Sequence, residues 1–520
     1  MHIGIDLGTT FCCVAYIDDN GTAKVISNAD GSDTTPSVIW FDGKNAYVGK
    51  KANDRKETSP PQFIQEFIKR DMGKPVAIPP NIYIEDDNQA LDPAPYEVGG
   101  FKYGADGMSA IILRKLKKDA IRFFKKIKKF DENVEERDVT LDAVITVPAY
   151  FGHREIQMTW AAGYAAGLNV IGIVKEPTAA ALTYGFSKSK NMRLMVFDLG
   201  GGTFDVTILM VNPEGCEVIT SDGSKTLGGK DWDEVIQQYI YAEFEKRNKR
   251  EIQSEKSFDI QQRALLAKVD LSENEESVVT ISDEKGDTDI ILYRTAPAGE
   301  NFEIEENRPF YFDERCSSLL SQCRTICKRI IESVGLEWGD IDEIVLAGGS
   351  CRMPMIQKML EDLAGRRISR HIDGFSYDTA VAIGAALYGQ HKGKVRDVVS
   401  RSIGVKYERD GRYFIDHLIE KNMHLPICAE RRYIGGSNSV LEAYEGESVH
   451  PDECVRRGRI PLNDINGYVT IKMELDENNL LKVIADYPPH RIEKKFEGEE
   501  IDDQRLKELR SKVQSIVINL

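Results

Sequence analysis

Two short segments of the chain are near-copies of each other. They are Asp6-Leu7-Gly8-Thr9-Thr10 and Asp198-Leu199-Gly200-Gly201-Gly202-Thr203. Each follows an apolar run and precedes another, which is typical of two strands joined by a tight turn, with the aspartate ending the first strand. Glycines let the backbone N–H groups of such a turn point toward one spot, and threonine hydroxyls add donors there. One such turn alone is more typical of a simple hairpin, but a pair predicts two loops that grip a polyphosphate from opposite sides.

The two aspartates indicate that a cation binds together with the polyphosphate. A carboxylate beside a phosphate would repel it unless a cation lay between them. Asp6 and Asp198 are therefore expected to face Mg²⁺ or its water ligands. Because the two turns begin two similar stretches of chain, we infer an internal duplication with a nucleotide cleft between the halves.

Composition excludes several classes of protein. A chain of 520 residues can form two or more domains, and its net charge of −16 argues against general nucleic-acid binding. Neither a signal peptide nor an apolar stretch of membrane-spanning length is recognisable, so no membrane association is expected. The nine cysteines form no C-x-x-C pair, and Cys316, Cys323 and Cys327 share one helix face, which favours burial over metal binding. We predict a cytoplasmic protein.

One predicted helix concentrates cations. Its apolar residues recur at helical spacing, and they are Ile112, Leu113, Leu116, Ala120, Phe123, Phe124 and Ile127. The cations between them are Lys115, Lys117, Lys118, Arg122, Lys125, Lys126, Lys128 and Lys129. We interpret these cations as the solvated face of a packed helix and not as a nucleic-acid patch.

The spacing of apolar residues along the chain changes near residue 402. Before it, apolar strand runs alternate with amphipathic helices, which indicates α/β layers, with loops and a short hairpin expected over 74–107. After it, short alternating runs separated by turn residues predict a small antiparallel β-sandwich. Helical spacing returns after Asp502 or Asp503, the candidate N-caps. The apolar end Ile516-Val517-Ile518 indicates that a packing partner is missing.

Two further motifs lie at the ends of apolar strands. Gly348-Gly349-Ser350 follows one strand and precedes Arg352 and Pro354, so it suits either an adenosine contact or a plain strand-to-helix turn. Glu176-Pro177 follows another strand and begins a helix, which places Glu176 at the edge where a cleft is expected. There it could orient a water that attacks a terminal phosphate, or it could be an ordinary surface carboxylate.

Taken together, these motifs resemble the 70-kilodalton heat-shock (DnaK-type) chaperone family. The matching segments occur in the family's order, from Ile3 to about residue 490. They are the first Asp-Leu-Gly-Thr-Thr turn, Thr34 to Ser37, Val147 to Phe151, Glu176 to Gly185, Asp198 to Asp205, Gly348 to Pro354, and Leu418 to Pro426. Actins and sugar kinases share the wider superfamily, but they lack the Glu-Pro-Thr-Ala-Ala-Ala segment and a trailing β domain.

The resemblance implies a two-lobed, actin-like ATPase fold followed by a peptide-binding β-sandwich and a short C-terminal helix. The implied boundaries are 1–393 for the ATPase (lobes about 1–186 and 187–393), 394–402 for the linker, 403–495 for the sandwich and 496–520 for a shortened lid. It implies an ATP-dependent chaperone that captures extended apolar peptides, with a J-domain co-chaperone and a nucleotide-exchange factor as partners. The alternative is a nucleotide-switched binding or scaffold protein that hydrolyses little.

The resemblance also assigns roles to residues. Lys69, Glu176, Asp205 and Thr203 would act in hydrolysis, and Asp6 and Asp198 would face Mg²⁺. ATP or ADP is the implied cofactor, with K⁺ as a further candidate ion. Contacts to the nucleotide are assigned to Gly8, Thr9, Thr10, Phe11, Gly200, Gly201, Gly202, Thr203, Lys268, Ser272, Gly348, Gly349, Ser350, Arg352 and Asp378.

Several positions depart from the family's pattern. The ungapped alignment places Leu265 where the family has a ribose-binding glutamate and Val269 where it has a base-stacking arginine. The family's acidic residue and leucine-run linker becomes Asp397-Val398-Val399-Ser400-Arg401. His153 and Ile156 occupy positions at which the family has Asp and Arg. We therefore expect weaker nucleotide binding and weaker coupling between the domains.

Overall fold

The computed structural model describes most of the chain. The described residues are 1–43, 45–56, 58–73, 96–98, 101–185, 191–212, 215–252, 257–297, 309–369, 376–391, 395–436, 438–463, 465, 467–477, 481–496 and 503–519. Most of the loop segment expected over 74–107, the candidate N-cap Asp502 and the expected boundaries near 187 and 393 lie outside these residues.

The first lobe contains the first Asp-Leu-Gly turn. Its strands are β1 (His2–Asp6), β2 (Phe11–Ile17), β3 (Ala23–Val25), β4 (Thr34–Pro36), β5 (Ile39–Asp42), β6 (Asn45–Val48), β7 (Ile64–Gln65), β8 (Tyr96–Val98), β9 (Phe101–Tyr103), β10 (Asp142–Val147) and β11 (Asn169–Lys175). Its helices are α1 (Lys50–Asn53), α2 (Ala105–Lys126), α3 (His153–Ala165) and α4 (Glu176–Gly185). Strands β8 and β9 form a hairpin within the expected loop segment.

The second lobe contains the second Asp-Leu-Gly turn. Its strands are β12 (Met192–Leu199), β13 (Phe204–Asn212), β14 (Gly215–Ser224), β15 (Glu276–Asp283), β16 (Gly286–Tyr293), β17 (Phe310–Tyr311), β18 (Glu343–Ala347) and β19 (Val395–Arg396). Its helices are α5 (Gly229–Asn248), α6 (Ser257–Glu273), α7 (Phe312–Arg315), α8 (Ser317–Ser333), α9 (Pro354–Ala364) and α10 (Ala380–His391).

The central sheets of the two lobes repeat one pattern. In the first lobe the strand order is β11-β10-β1-β2-β3, with β2 antiparallel and β10 parallel to β1. In the second lobe the order is β18-β12-β13-β14-β19, with β13 antiparallel and β18 parallel to β12. Each aspartate-ending strand therefore lies between a hairpin partner and a parallel strand, as an internal duplication predicts.

Helices α4 and α10 cross between the lobes at a point with no room for side chains. A Cβ atom built on Gly384 would lie 1.8 Å from the carbonyl oxygen of Ala179. A Cβ built on Gly4 would likewise lie 2.1 Å from the backbone nitrogen of Ala386. Since these contacts involve backbone atoms, the two glycines allow α10 to lie directly on β1 and α4, which holds the lobes together.

After the second lobe, the chain forms a unit of antiparallel sheets. Its strands are β20 (Ile403–Arg409), β21 (Arg412–Ile419), β22 (Ile427–Gly435), β23 (Asn438–Glu445), β24 (Val455–Asn463), β25 (Gly467–Leu475), β26 (Leu481–Tyr487) and β27 (His490–Phe496). Among the described residues they form two four-stranded sheets, ordered β21-β20-β23-β24 and β22-β25-β26-β27. Alternating apolar side chains from both sheets form one shared core. We call residues 403–496 the two-sheet unit.

Residues 503–519, which we call the C-terminal strap, return to the first lobe. Helix α11 (Asp503–Ser515) packs against α3, and strand β28 (Val517–Asn519) pairs in parallel with β6. Val513, Ile516 and Ile518 are buried in the apolar core of the first lobe. The expectation that the apolar end lacks a packing partner is therefore wrong, because its partner is the first lobe of the same chain.

The interpretation of the cationic helix α2 as solvated is wrong for its middle. Lys115 and Lys117 are buried, with Lys115 paired to Asp119 at 2.6 Å and Lys117 donating to the carbonyl of Gly167 at 3.0 Å. Its C-terminal end, beyond Phe124, is more exposed, and there even the apolar Ile127 faces outward. Helical spacing cannot reveal that a second helix and a loop cover the expected polar face.

The expected burial of the three neighbouring cysteines is confirmed. Cys316, Cys323 and Cys327 are all fully buried in the core of the second lobe. Among the described helices, none combines the length and the apolar character that crossing a membrane would require.

Candidate functional site

The two glycine- and threonine-rich loops face each other between the lobes. A Cβ built on Gly201 would lie 1.7 Å from Thr10 Oγ1, and one built on Gly202 would lie 2.5 Å from Thr9 Cγ2. The first loop is held by Ser37, whose Oγ donates to the carbonyl of Gly8 at 2.7 Å, and the second loop is closed by a hydrogen bond from the N–H of Gly200 to the carbonyl of Thr203 at 3.1 Å. Any larger residue at Gly201 or Gly202 would force the loops apart.

A buried lysine lies beside the first loop. Lys69 Nζ donates to the carbonyl of Leu7 and forms an ion pair with Glu176. Glu176 begins α4 directly after β11, and Lys69 belongs to a single 3₁₀ turn, Ile68–Asp71. Burial acts to lower the pKa of Lys69, but Glu176 and Asp6 outweigh it, and the pKa lies above its usual value. Lys69 is therefore a fixed positive charge.

The aspartates around this pair hold their protons unusually well. Burial and the charge of Glu176 raise the pKa of Asp6 to about 7, although Lys69 and a hydrogen bond from Thr146 act against the shift. Burial and Glu176 also raise the pKa values of Asp198 and Asp205 well above their usual range. The site thus contains more negative charge than Lys69 can balance, which is the electrostatic condition for binding a cation.

Two buried polar atoms at this site lack protein partners. Thr10 Oγ1 and Asp205 Oδ1 have no hydrogen-bond partner among the residues that the structure describes. Buried polar groups are nearly always hydrogen-bonded in native proteins, so such atoms point to a ligand. Together with the glycine loops and the excess of carboxylates, they fit a phosphate group accompanied by a cation.

A ready-made metal cage is absent from this part of the molecule. No group of three or more His, Cys, Asp or Glu residues that could hold a metal ion occurs within the described ranges. Mg²⁺ usually keeps several waters and takes few protein ligands when it accompanies phosphate. Asp6 and Asp198 are therefore better suited to contact a hydrated ion than to form a cage.

Arg70 bridges the lobes next to Lys69. Its Nε donates to the carbonyl of Gly202 at 2.8 Å, and its guanidinium contacts Asp231 at 3.2 Å. Asp231 in turn accepts the backbone N–H of Gly228 at 2.7 Å, which caps helix α5. The 3₁₀ turn that holds Lys69 is therefore linked directly to the second loop.

The residues expected on the adenosine side gather around Gly200 and Gly229. Ser350 Oγ donates to the carbonyl of Gly200 at 3.0 Å, and Lys268 Nζ donates to the carbonyl of Gly229 at 3.0 Å. Lys268 also pairs with Asp233 at 2.8 Å. A Cβ on Gly229 would lie 2.3 Å from Ser350 Oγ, so a larger residue there would close this end of the site.

Other residues that were expected to contact the nucleotide are less closely grouped. Arg352 forms a bidentate ion pair with Asp378 at 3.0 and 2.6 Å, beside Gly349. The hydroxyl of Ser272 donates to the carbonyl of Lys268 within its own helix. Among the residues near the first loop, Phe11 is half exposed. Gly348 takes a φ of 80° and lies against the carbonyl of Leu199, which explains why glycine is needed at this strand end.

Sequence reasoning missed several residues of the site. They are Arg70, Tyr150, Gly228, Gly229, Asp231 and Asp233. The double glycine Gly228-Gly229 before a helix repeats the pattern of Gly348-Gly349, so that signal was present in the sequence. Tyr150 lies inside the segment Val147 to Phe151, and burial together with the charges of Asp205 and Glu176 raises the pKa of its hydroxyl well above the usual range. The other residues carry no local signal, since their partners are distant in sequence.

One comparison with known proteins covers nearly the whole chain. The model of a protein family described as Hsp70 protein matches residues 2–516.

Proposed function

Because the chain belongs to the Hsp70 family, we propose that it is an ATP-dependent molecular chaperone that couples ATP binding and hydrolysis to reversible binding of extended apolar peptides. The observation that carries the proposal is the buried pair of Lys69 and Glu176 between two facing glycine loops. Members of this family are ATPases and chaperones as a class. The residue roles, domain roles and partners given below are our proposals.

The phosphate end of the nucleotide would contact the two loops. Backbone N–H groups and hydroxyls of Gly8 to Phe11 and of Gly200 to Thr203 supply the donors, with Thr203 at the terminal phosphate. Bound Mg²⁺ would supply charge neutralisation, and Asp6 and Asp198 would hold its waters. Lys69 would stabilise charge on the terminal phosphate, while Glu176 and Asp205 would orient the attacking water. K⁺ is a further candidate ion at this site.

The nucleoside end would lie near Gly229. Lys268, Ser350 and Gly349 are close enough together to contact ribose and base, with Ser272, Gly348 and Arg352 beside them. Asp378 holds one edge of the Arg352 guanidinium through two parallel hydrogen bonds, so this arginine presents a flat face of fixed orientation. Such a face can stack on a base.

The two-sheet unit would be the family's peptide-binding β-sandwich, and the strap would correspond to the start of its lid. Large apolar side chains are exposed on the edge strand β22 and its neighbour β25. Ile434 and Tyr468 are direct cross-strand partners and are 80% and 57% exposed. Exposed apolar pairs of this kind are typical of surfaces that bind apolar segments. A cytoplasmic location, a J-domain co-chaperone and a nucleotide-exchange factor complete the proposal.

ATP turnover with and without an unfolded apolar peptide tests the proposal. A chaperone should hydrolyse ATP and turn over faster with peptide. The alternative, a nucleotide-switched scaffold, should bind ATP but show almost no turnover under either condition. The observation that favours this alternative is the exposure of Val269 at the position of the stacking arginine, which weakens the nucleoside end of the site.

The role of Lys69 can be tested separately. Lys69→Ala should lower single-turnover hydrolysis about 10²-fold or more, because it removes the fixed charge that would stabilise the terminal phosphate. ATP binding, measured by calorimetry, should be largely retained because the loops remain. Lys56→Ala is a matched control, since Lys56 also pairs with a glutamate, Glu66, in the same lobe. Hydrolysis at the parental rate in Lys69→Ala would remove this lysine from the mechanism.

A further inference from the structure

A pocket of about 810 Å³ lies in the first lobe, outside the site proposed for the nucleotide. Its walls are the loop after β3, the C-terminal half of α2 and the segment that follows α2. None of the described residues that line it is assigned above to phosphate, metal or nucleoside. Pockets of about 300–1,000 Å³ commonly hold small molecules, so this one has room for a ligand of its own.

Four cations of one helix line this pocket. They are Lys118, Arg122, Lys125 and Lys126 of α2. Lys118, Arg122 and Lys126 follow one another at intervals of four residues, and Lys125 is three residues after Arg122. Residues three or four positions apart are neighbours on one face of a helix, so these side chains form one wall of the pocket. We call the four residues the α2 cation group.

Two members of the α2 cation group are available to a ligand. Lys118 and Lys125 each donate to a backbone carbonyl, at 2.9 and 2.8 Å. Arg122 and Lys126 are exposed, and neither has a hydrogen-bond or ion-pair partner among the residues that the structure describes. A guanidinium and an ammonium group therefore lie free on the same wall of a concave site.

The carboxylates of the pocket do not balance these cations. Asp119 pairs with Lys115 at 2.6 Å, and Glu136 lies 3.1 Å from Arg114, so cations outside the pocket already neutralise both. Glu132 is the third carboxylate of the wall, and it is exposed. Positive charge is thus in excess here, although the chain as a whole has a net charge of −16. Like charges grouped in a concavity attract a counter-ion, so the pocket favours an anionic ligand.

The wall opposite the α2 cation group is held in a fixed shape. Asn28 Oδ1 accepts the backbone N–H groups of Asp30 and Ser32, both at 3.0 Å, and Asn28 Nδ2 donates to the carbonyl of Thr34 at 3.0 Å. Gly31, at the tip of this loop, has a φ of 82°. Because the loop is fixed by its own hydrogen bonds, little ordering is needed when a ligand enters.

We propose that this pocket binds a small phosphorylated molecule, with Arg122 and Lys126 contacting its phosphate groups. A guanidinium binds phosphate through two parallel hydrogen bonds, and a lysine adds a point charge beside it. Ile121 and Phe123 also line the pocket and supply an apolar surface for the rest of the molecule. The inference goes beyond the proposed function and does not depend on it, because the two sites share no residue.

Calorimetric titration of the full chain with pyrophosphate tests the site. Metal-free buffer is used, because without Mg²⁺ the carboxylates around Lys69 repel an anion from the proposed nucleotide site. Arg122→Gln combined with Lys126→Gln should weaken pyrophosphate binding at least ~10-fold, since two charged donors are lost. Binding by the parental chain should also weaken as salt is added.

A second pair of lysines provides the matched control. Lys50 and Lys51 are exposed on α1 in the same lobe and do not line the pocket. Lys50→Gln combined with Lys51→Gln removes the same net charge and should bind pyrophosphate like the parental chain. Equal affinity in the Arg122→Gln, Lys126→Gln variant and the parental chain would overturn the proposal, as would an equal loss in both double variants.

Hydrogen exchange locates the bound anion. Pyrophosphate should slow amide exchange at 27–32 and 118–126 in the parental chain, but not in the Arg122→Gln, Lys126→Gln variant. Protection confined to the loops 8–11 and 200–203 would overturn the proposal, because the anion would then occupy the proposed nucleotide site.

Two further probes test the chemical class of the ligand. Phenyl phosphate should bind more tightly than inorganic phosphate, because its ring can contact Ile121 and Phe123. Equal affinity for these two probes would overturn the apolar part of the assignment. Hexaglutamate that binds where pyrophosphate does not would overturn the assignment to a small phosphorylated molecule and would identify an acidic peptide as the ligand.

Discussion

At the scale of single residues, the proposed phosphate site is a place where like charges are held close together. Asp6, Asp198 and Asp205 all have raised pKa values because they are buried beside Glu176. Lys69 lowers each of these values but does not restore them. Without a cation, bound protons offset the excess negative charge, and a bound cation would take over that role, so stability near neutral pH is reduced here for the sake of binding.

This charge cluster predicts an unusual pH dependence for the metal-free protein. The pKa of Asp6 is about 7 in the folded state, against an ordinary aspartate value of 3.8 in the unfolded chain. The folded state therefore binds the extra proton, and the contribution of Asp6 to stability is complete below about pH 4 and is lost as the pH rises toward 7. Asp198 and Asp205 act with the same sign. Without Mg²⁺ and nucleotide, Asp6→Asn should be more stable than the parental protein at pH 7.5 by roughly 1–3 kcal/mol, and by less at pH 5.

Urea unfolding at the two pH values measures this difference. Asp42→Asn, an exposed carboxylate in the same lobe, is the control and should show no such pH-dependent gain. An equal effect of Asp6→Asn at both pH values would show that Asp6 does not hold its proton in the folded state.

The nucleoside end gives a second prediction at this scale. Leu265 is partly buried and Val269 is 51% exposed, one turn later on α6 and next to Lys268. Introducing Leu265→Glu together with Val269→Arg should restore a hydrogen-bonding carboxylate and a stacking cation. Each is worth about 1–2 kcal/mol, so ADP should bind at least ~10-fold more tightly by calorimetry.

A substitution on the same helix serves as the control for this pair. Leu266 is also exposed on α6, and Leu266→Glu adds a carboxylate without matching a family position. Tighter ADP binding by Leu266→Glu, or no gain from the double variant, would show that the ungapped alignment is wrong or that another group has taken over.

At the scale of secondary-structure elements, cationic side chains of α2 hold the C-terminal strap by its backbone carbonyls. The Arg114 guanidinium donates to the carbonyls of Val513 at 2.9 Å, Gln514 at 3.3 Å and Ile516 at 2.7 Å. Lys118 donates to the carbonyl of Ile518 at 2.9 Å. The last carbonyls of a helix have no partner inside it, so cations from α2 cap α11 and continue into β28. The side chains that looked like a solvated face are therefore structural.

Arg114→Ala tests this capping arrangement. It leaves buried carbonyl groups without their charged donor, and we expect a loss of about 2–3 kcal/mol in the stability of the strap. Hydrogen exchange at 513–519 should accelerate accordingly, while the nucleotide loops remain protected. Arg122→Ala on the exposed side of the same helix is the control. Equal exchange in both variants would mean that apolar packing alone holds the strap.

At the scale of the whole molecule, the two-sheet unit is attached at both of its ends. Before it, β19 pairs with β14, Lys175 holds Asp397 at 3.0 Å, and both linker valines are buried. After it, the strap begins only seven residues beyond Phe496 and is anchored in the first lobe. Seven residues span at most about 25 Å. The unit can therefore move only a short distance while the strap stays in place.

This double attachment predicts weak coupling between ATP and peptide release. Val399 is buried in the core of the two-sheet unit itself, so of the two linker valines only Val398 is left to stabilise the docked state, by roughly 1.5–3 kcal/mol, which is less than a longer leucine run would provide. The strap restrains the unit in both nucleotide states, so ATP should accelerate peptide release only modestly. Ile518→Asp places a charge in the core of the first lobe and should release the strap, making the ATP effect on the peptide off-rate at least ~5-fold larger.

The neighbouring residue offers a matched control. Ile518 is 3% exposed, whereas Val517 is 53% exposed on the same strand, so Val517→Asp should leave the off-rates nearly unchanged. Peptide dissociation followed by fluorescence with and without ATP gives both numbers. A large ATP effect in the parental chain would contradict the weak-coupling prediction.

What the sequence alone determined about this protein is its local chemistry. The two Asp-Leu-Gly turns, the strand that ends at Lys175 before Glu176, and the glycine turn at Gly348 all lie where the pattern predicts them. These features depend on the φ preferences of glycine and on the alternation of apolar residues along strands, which act over a few neighbouring positions. For the same reason, the repeated strand pattern of the two lobes was visible before any contact was known.

Only the tertiary structure decided which distant residues meet. Lys69 and Glu176 are 107 positions apart, and Glu155 of the first lobe forms an ion pair with Lys225 of the second. Likewise, no helical period could show that Lys115 and Lys117 are covered, or that the apolar end near Ile518 adds an edge strand to the small sheet of β5, β6 and β7 in the first lobe. Burial and ion pairing depend on packing between elements, and a single sequence contains no local signal for that packing.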